Sequence, residues 1–103
     1  MRVDSERAFE QLMKHGRLAT FRRYRYREGQ VVRVYHKGKY VGRAVVEDVM
    51  YSEGLLFLRD EVLQEVVRLS GFSSLEEWIN EARKLNKSES VPPYLVIIKL
   101  LKR

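Results

Sequence analysis

The stretch VVRVYHKGKYVGRAVVEDVMY, Val31 to Tyr51, decides the fold. Val32, Val34 and His36 alternate with Val31, Arg33, Tyr35 and Lys37, which predicts a strand. Lys37-Gly38-Lys39 reads as a tight hairpin turn. Tyr40 to Tyr51 is a second, longer β-branched run, with Val41, Val45, Val46 and Val49. Gly42 inside it marks a bulge or a close backbone approach.

Upstream, Arg27-Glu28-Gly29-Gln30 is a turn signal. Residues 17–23 form a further strand, with Leu18, Thr20 and Arg22 on one face and Ala19, Phe21 and Arg23 on the other. Before it, Asp4-Ser5 is a helix cap. Ala8, Phe9, Leu12 and Met13 then follow helical spacing up to Gly16, which predicts a helix over 5–15. His15 finishes that helix, where a cation suits the negative dipole end.

Downstream the period changes near Gly54. Leu55, Leu58, Val62, Leu63, Val66, Val67 and Leu69 follow helical spacing, and Gly71 punctuates. Ser73-Ser74-Leu75-Glu76-Glu77 reads as a doubled capping box, Ser73 with Glu76 and Ser74 with Glu77. Leu75, Trp78, Ile79, Ala82 and Leu85 are the buried stripe of the next helix, so Trp78 belongs to the core. Lys87 to Ser90 is a polar connector, and Pro92-Pro93 imposes extended backbone. Tyr94 to Leu101 is almost wholly apolar and reads as a central strand.

The order is helix, three strands, two helices, strand. It predicts an α+β fold in which a small, twisted, mixed or antiparallel β-barrel carries an N-terminal helix and a helical pair before the last strand. The 103 residues make one domain, spanning 1–103. That length excludes a TIM barrel or a two-domain nucleotide enzyme.

The chain has 20 Lys+Arg against 14 Asp+Glu, a net charge of +6. The excess is local. Between residues 14 and 43 stand Lys14, Arg17, Arg22, Arg23, Arg25, Arg27, Arg33, Lys37, Lys39 and Arg43, with Glu28 the only acid, giving +9. Phe21, Tyr24, Tyr26, Tyr35 and Tyr40 lie among them. Guanidinium groups hold phosphates and aromatic rings stack on bases, so this segment points to a nucleic-acid partner. Lys99, Lys102 and Arg103 extend the basic surface or solubilise the end of the apolar last strand.

Cysteine is absent, which excludes disulfides, thiolate metal sites and a cysteine nucleophile, and fits a cytoplasmic protein. The two histidines are not at a ligand spacing, so no metal and no cofactor is expected. No apolar run reaches the ~20 residues of a membrane span, and Met1 to Glu6 has no signal-peptide core, so no membrane partner is expected. No nucleophile elbow, phosphate loop or dinucleotide fingerprint is present.

Three segments, in this order, are similar to the ASCH domains of the PUA-like β-barrel group. They are Gly16-Arg17-Leu18-Ala19-Thr20-Phe21-Arg22-Arg23, the strand start Glu28-Gly29-Gln30-Val31-Val32-Arg33-Val34, and Gly71-Phe72-Ser73-Ser74-Leu75-Glu76-Glu77-Trp78. The resemblance covers nearly the whole chain. It implies a cleft between barrel and helices and a role in RNA binding. One branch of that family resembles an amidohydrolase of N4-acetylcytidine, with the pattern Gly-Arg-Lys-Thr-x-Thr-x-Arg. Here Leu18 stands at the lysine position, Phe21 at the second threonine and Arg23 at the arginine. Leucine has no lone pair and cannot serve as a base.

The expectation is therefore an RNA-binding module. Arg17, Arg22, Arg23, Arg25, Arg27, Arg33, Lys37, Lys39 and Arg43 would hold phosphates, and Tyr24, Tyr26, Tyr35 and Tyr40 would contact bases. Strand alternation places about half of them on one face. The alternatives are a hydrolase of a modified nucleoside or a ribonuclease, with Thr20 and His36 as catalytic candidates, and an interaction module for an acidic protein.

Overall fold

The computed structural model describes residues 1–101. Lys102 and Arg103, which the charge pattern adds to the basic surface, lie outside the described residues. The chain runs α1 (Glu6–His15), β1 (Arg17–Arg22), β2 (Val31–His36), β3 (Lys39–Tyr51), a 3-10 segment (Ser52–Phe57), α2 (Asp60–Ser70), α3 (Leu75–Asn86) and β4 (Tyr94–Leu100).

Local chemistry sets the helix ends. Ser5 Oγ accepts from the Ala8 N–H at the start of α1, and Gly16, at φ 76°, closes it by donating to the Leu12 carbonyl. Ser74 is the cap of α3, accepting from the Glu77 N–H at 3.1 Å. The Glu77 carboxylate reaches back to the Ser73 N–H and hydroxyl and also pairs with Arg7 of α1. Of the two overlapping boxes only the Ser74 half of the second forms, because α3 begins at Leu75 and the Glu77 carboxylate turns to Ser73 rather than to the Ser74 N–H.

The four strands make one antiparallel sheet in the order β1-β4-β3-β2. β4 is central, and both of its faces are covered. Val96 and Ile98 join Leu18, Val32, Val34, Ala44 and Val46 in one core, with Leu12 of α1 and Val3. Leu95 faces the opposite way, into a second core with Ala19, Phe21, Leu55, Val66, Leu69 and Trp78. Burial on two sides is why this strand carries no alternation.

A tight turn and two register shifts shape the sheet, one of the shifts lying between Val46 and Asp48 in the β3–β4 pairing. The Lys37-Gly38 turn has positive φ at both residues, 48° and 82°, as a two-residue turn of primed type needs. The β2–β3 register shifts between Val34 and Tyr35, so Gly42 faces Val34, Tyr40 faces Tyr35 and Val41 is the extra residue.

β1 and β2 are the two edges, and the sheet is open: they are not partners in it. The outer edge of β2 takes up Met1–Val3 instead. The Val3 N–H donates to the Tyr35 carbonyl, and the Tyr35 N–H to the Met1 carbonyl. His36 pins the same segment through Nδ1 to the Val3 carbonyl, at 2.7 Å.

The apolar run from Leu55 to Leu69 is not one helix. Leu55 lies in the 3-10 segment, Leu58 and Arg59 are extended, and α2 starts at Asp60. A 3-10 period of three residues puts Leu55 and Leu58 on one side just as an α-helix would, so the spacing did not separate the two. Ser52 anchors this segment, its N–H on the Pro93 carbonyl and its hydroxyl on that of Pro92. Gly71, at φ +85°, ends α2 against α1, where a Cβ would stand 2.5 Å from the Arg7 carbonyl oxygen. Among the described residues no helix is long and apolar enough to cross a membrane.

Candidate functional site

The free edge of β1 borders a cleft. The Leu100 N–H donates to the Gly16 carbonyl. In an antiparallel pair the bonded residues alternate. Leu18, Thr20 and Arg22 therefore turn their backbone groups to β4, opposite Ile98, Val96 and Tyr94. Arg17, Ala19 and Phe21 turn theirs outward, and the Arg17 carbonyl is taken by Gln11 Nε2 at 3.2 Å. Ala19 and Phe21 thus present main-chain N–H and C=O groups toward the cleft they help to line.

The cleft has a volume of about 760 Å³ and lies between β1, residues 1–5 and the C-terminal half of α3. That volume suits a small-molecule or nucleoside-sized group, roughly 300–1,000 Å³ being usual for such sites. Its floor is aromatic. Phe21 and Trp78 stack with centroids 4.4 Å apart, and Trp78 is only 3% exposed. Phe72 and the exposed Tyr24 contribute to the walls.

Arg22 is the distinctive side chain here. It is half-buried, and its Nε is fully buried with no hydrogen-bond partner. Burial pulls the guanidinium below its ordinary pKa, against the raising influence of Tyr26 and Asp4, while Arg2 adds to the lowering. The Met1 amine is lowered too, first by burial and then by Arg22. A buried donor left unbonded is expensive in a folded protein, so an acceptor brought by a ligand would gain the full bond.

Arg23 turns the other way. Its Nε and one terminal nitrogen hold the side-chain and main-chain oxygens of Asn86, at 2.7 and 3.2 Å, which ties β1 to the end of α3. Arg2 joins the cleft wall and pairs with Asp4 at 3.2 Å. The sequence reading missed Arg2 and Asn86. The cap at Asp4-Ser5 locates the start of α1, but nothing local shows that residues 1–3 fold onto β2 and deliver Arg2 to the β1 side.

The structure separates the other sequence-predicted residues into three groups. Arg33, Arg43 and Tyr40 stand on the outer face of the β2–β3 hairpin, away from the cleft, and Arg17 shares that outer face from β1. Arg17 is paired with Glu47, Nε to Oε1 at 2.7 Å. Arg25 and Arg27 are exposed in the loop after β1, Arg25 over the Tyr51 ring at 5.9 Å. Tyr26, half-buried there, packs on the core and meets Tyr24 edge-on at 4.8 Å. Lys37 pairs with Glu6, and its N–H donates to Asp4 Oδ1 at 2.9 Å. Lys39 is exposed beside it.

The two catalytic candidates are not brought together. Thr20 lines the cleft. His36 lies on the other side of residues 1–5, stacked on Phe9 and bonded to Val3. Among the described residues no lysine lines the cleft, and no group of three or more metal-ligating side chains is present. Comparison with family models, with curated proteins and with solved structures finds no match to this chain.

Proposed function

We propose that the chain is an RNA-binding module that receives a base and its phosphate in the cleft beside β1. The unpartnered, buried Nε of Arg22 carries this reading, because an anionic oxygen is the group that would satisfy it. The exposed Tyr24 ring on the cleft wall gives a flat ligand a surface to stack on, above the buried Phe21–Trp78 pair, and the outward backbone of Ala19 and Phe21 offers donors and acceptors to a base edge. On the same reading the fold is of the PUA-like, ASCH type, with its sheet left open between β1 and β2 and Met1–Val3 laid along β2. The element order and the position of the cleft between sheet and helices support that likeness.

The test is a salt titration with labelled single-stranded RNA. Affinity falls with salt at a slope of about 0.7 per neutralised phosphate. No binding at low salt, or a flat response, overturns the reading. Replacing Arg22 and Arg23 together flattens the slope. Incubation with N4-acetylcytidine addresses the hydrolase alternative: turnover lost in Thr20→Ala would favour it over simple binding.

A further inference from the structure

Arg33 and Arg43 stand directly opposite each other across β2 and β3. Both are exposed, and among the described residues neither is ion-paired with a carboxylate. Like charges in facing positions destabilise a sheet. The pair is not isolated. Val32, Val34, Ala44 and Ile98 point into the core, so Arg33, Arg43 and Lys99 point to the opposite, outer face. Arg17 lies in register with Lys99 on that face. The nearby Glu47 is already held by Arg17. The helices cover the other half of this face, at Ala19, Phe21 and Leu95, and leave the cationic half bare.

The bulge supplies the second observation. With Val41 as the extra residue, Tyr40 returns to the outer side opposite Tyr35, and the two rings meet at 5.6 Å with planes at 63°. Tyr40 remains 57% exposed. Unmatched cations beside an exposed ring suit a chain of nucleotides, each carrying both a phosphate and a flat base, better than an acidic peptide, in which rings are sparse.

We propose that the outer face of the sheet is a second surface, distinct from the cleft, that binds the backbone of a single-stranded nucleic acid. Arg33, Arg43 and Lys99 hold phosphates and Tyr40 stacks a base. The choice of nucleic acid as partner rests on the function proposed above. The two sites sit toward opposite edges of the sheet. β1 and β2 are three strand spacings apart, about 14 Å, so one flexible strand of a few nucleotides could occupy both.

The experiment measures binding of labelled oligouridylate and of uridine monophosphate to the full chain. The double variant Arg33→Gln/Arg43→Gln is expected to lower the salt slope for the oligonucleotide by about 1.4, with affinity down about ten-fold at low salt. Uridine monophosphate binding stays unchanged, and thermal unfolding verifies the fold. Tyr40→Ala is expected to weaken the oligonucleotide about five-fold or more with the slope unaltered. An unaltered slope in the double variant overturns the second surface and leaves the cleft standing. Oligonucleotide binding that depends on Arg33 and Arg43, without monophosphate binding, overturns the cleft and leaves the surface standing. Full competition by heparin together with no effect of Tyr40→Ala makes the face a general anion patch and overturns the proposal. No binding of either probe overturns both.

Discussion

The His36 imidazole lies flat on the Phe9 ring, with centroids 3.8 Å apart and planes 5° from parallel. Nδ1 donates to the Val3 carbonyl, and Nε2 stands 3.5 Å from the Glu6 carboxylate. One side chain thereby joins β2, α1 and the first residues of the chain. His36→Ala is expected to lower stability by about 1–3 kcal/mol, read as a lower urea midpoint. RNA affinity per folded molecule should hold, since His36 does not face the cleft. An unchanged midpoint would remove the clamp.

Arg22 has the opposite profile. Its half-buried cation has an unbonded Nε and burial works against its charge. Arg22→Met, similar in length and apolar, is expected to raise stability by about 1 kcal/mol, or ~5 °C in Tm for a domain of this size. The same variant should lose at least ten-fold in affinity for uridine monophosphate. A lower Tm would mean that Arg22 is structural.

Gly71 and Gly29 separate backbone strain from close packing. Both have positive φ, 85° and 84°. At Gly29 a Cβ meets nothing within 4 Å, whereas at Gly71 it meets α1. Gly29→Ala should cost about 1 kcal/mol. Gly71→Ala should cost about 3 kcal/mol, since α2 must back away from α1. Equal losses in denaturant melts would show that the contact contributes nothing.

Acid should loosen residues 1–6 first. The Lys37 N–H holds Asp4 below its ordinary pKa, against the raising effect of burial and with further help from Arg2. Lys37 does the same for Glu6. A carboxylate with a folded pKa below its unfolded one stabilises the fold above the ordinary range and loses that contribution as pH falls through the folded value. Stability should therefore decline below about pH 4. The double variant Asp4→Asn/Glu6→Gln should show a flatter acid limb in urea melts, with the native stability at pH 7 reduced.

Much of the fold was legible because its signals are local. The caps at Ser5 and Ser74, the hairpin at Lys37-Gly38 and the unbroken apolar run of β4 each carry their reason within a few residues. The 3-10 break at Leu58 was not, since a three-residue period places Leu55 and Leu58 on one side as an α-helix does, and the anchor of the segment, Ser52 on Pro92 and Pro93, is distant in sequence. The candidate site was legible in composition but not in partition. Charge along the chain marks residues 14–43 as a unit. Strand pairing then sends Arg22 to one edge and Arg33 and Arg43 toward the other, and Glu47 and Asn86 claim Arg17 and Arg23 from outside the segment. Which way Tyr40 points depends on one bulge residue, Val41.

The central place of β4 bears on how the protein is made. A ribosome completes β1 some seventy residues before the strand that must lie beside it, and β3 some forty before. Until Tyr94–Leu100 emerges, the β2–β3 hairpin can pair, but β1 has no neighbour and both apolar layers lack their shared wall. Long-range pairing of this kind is slow and leaves sticky strands uncovered. Completion of the sheet in the nascent chain therefore waits for its most apolar segment, which slots between β1 and an already paired β2–β3 hairpin.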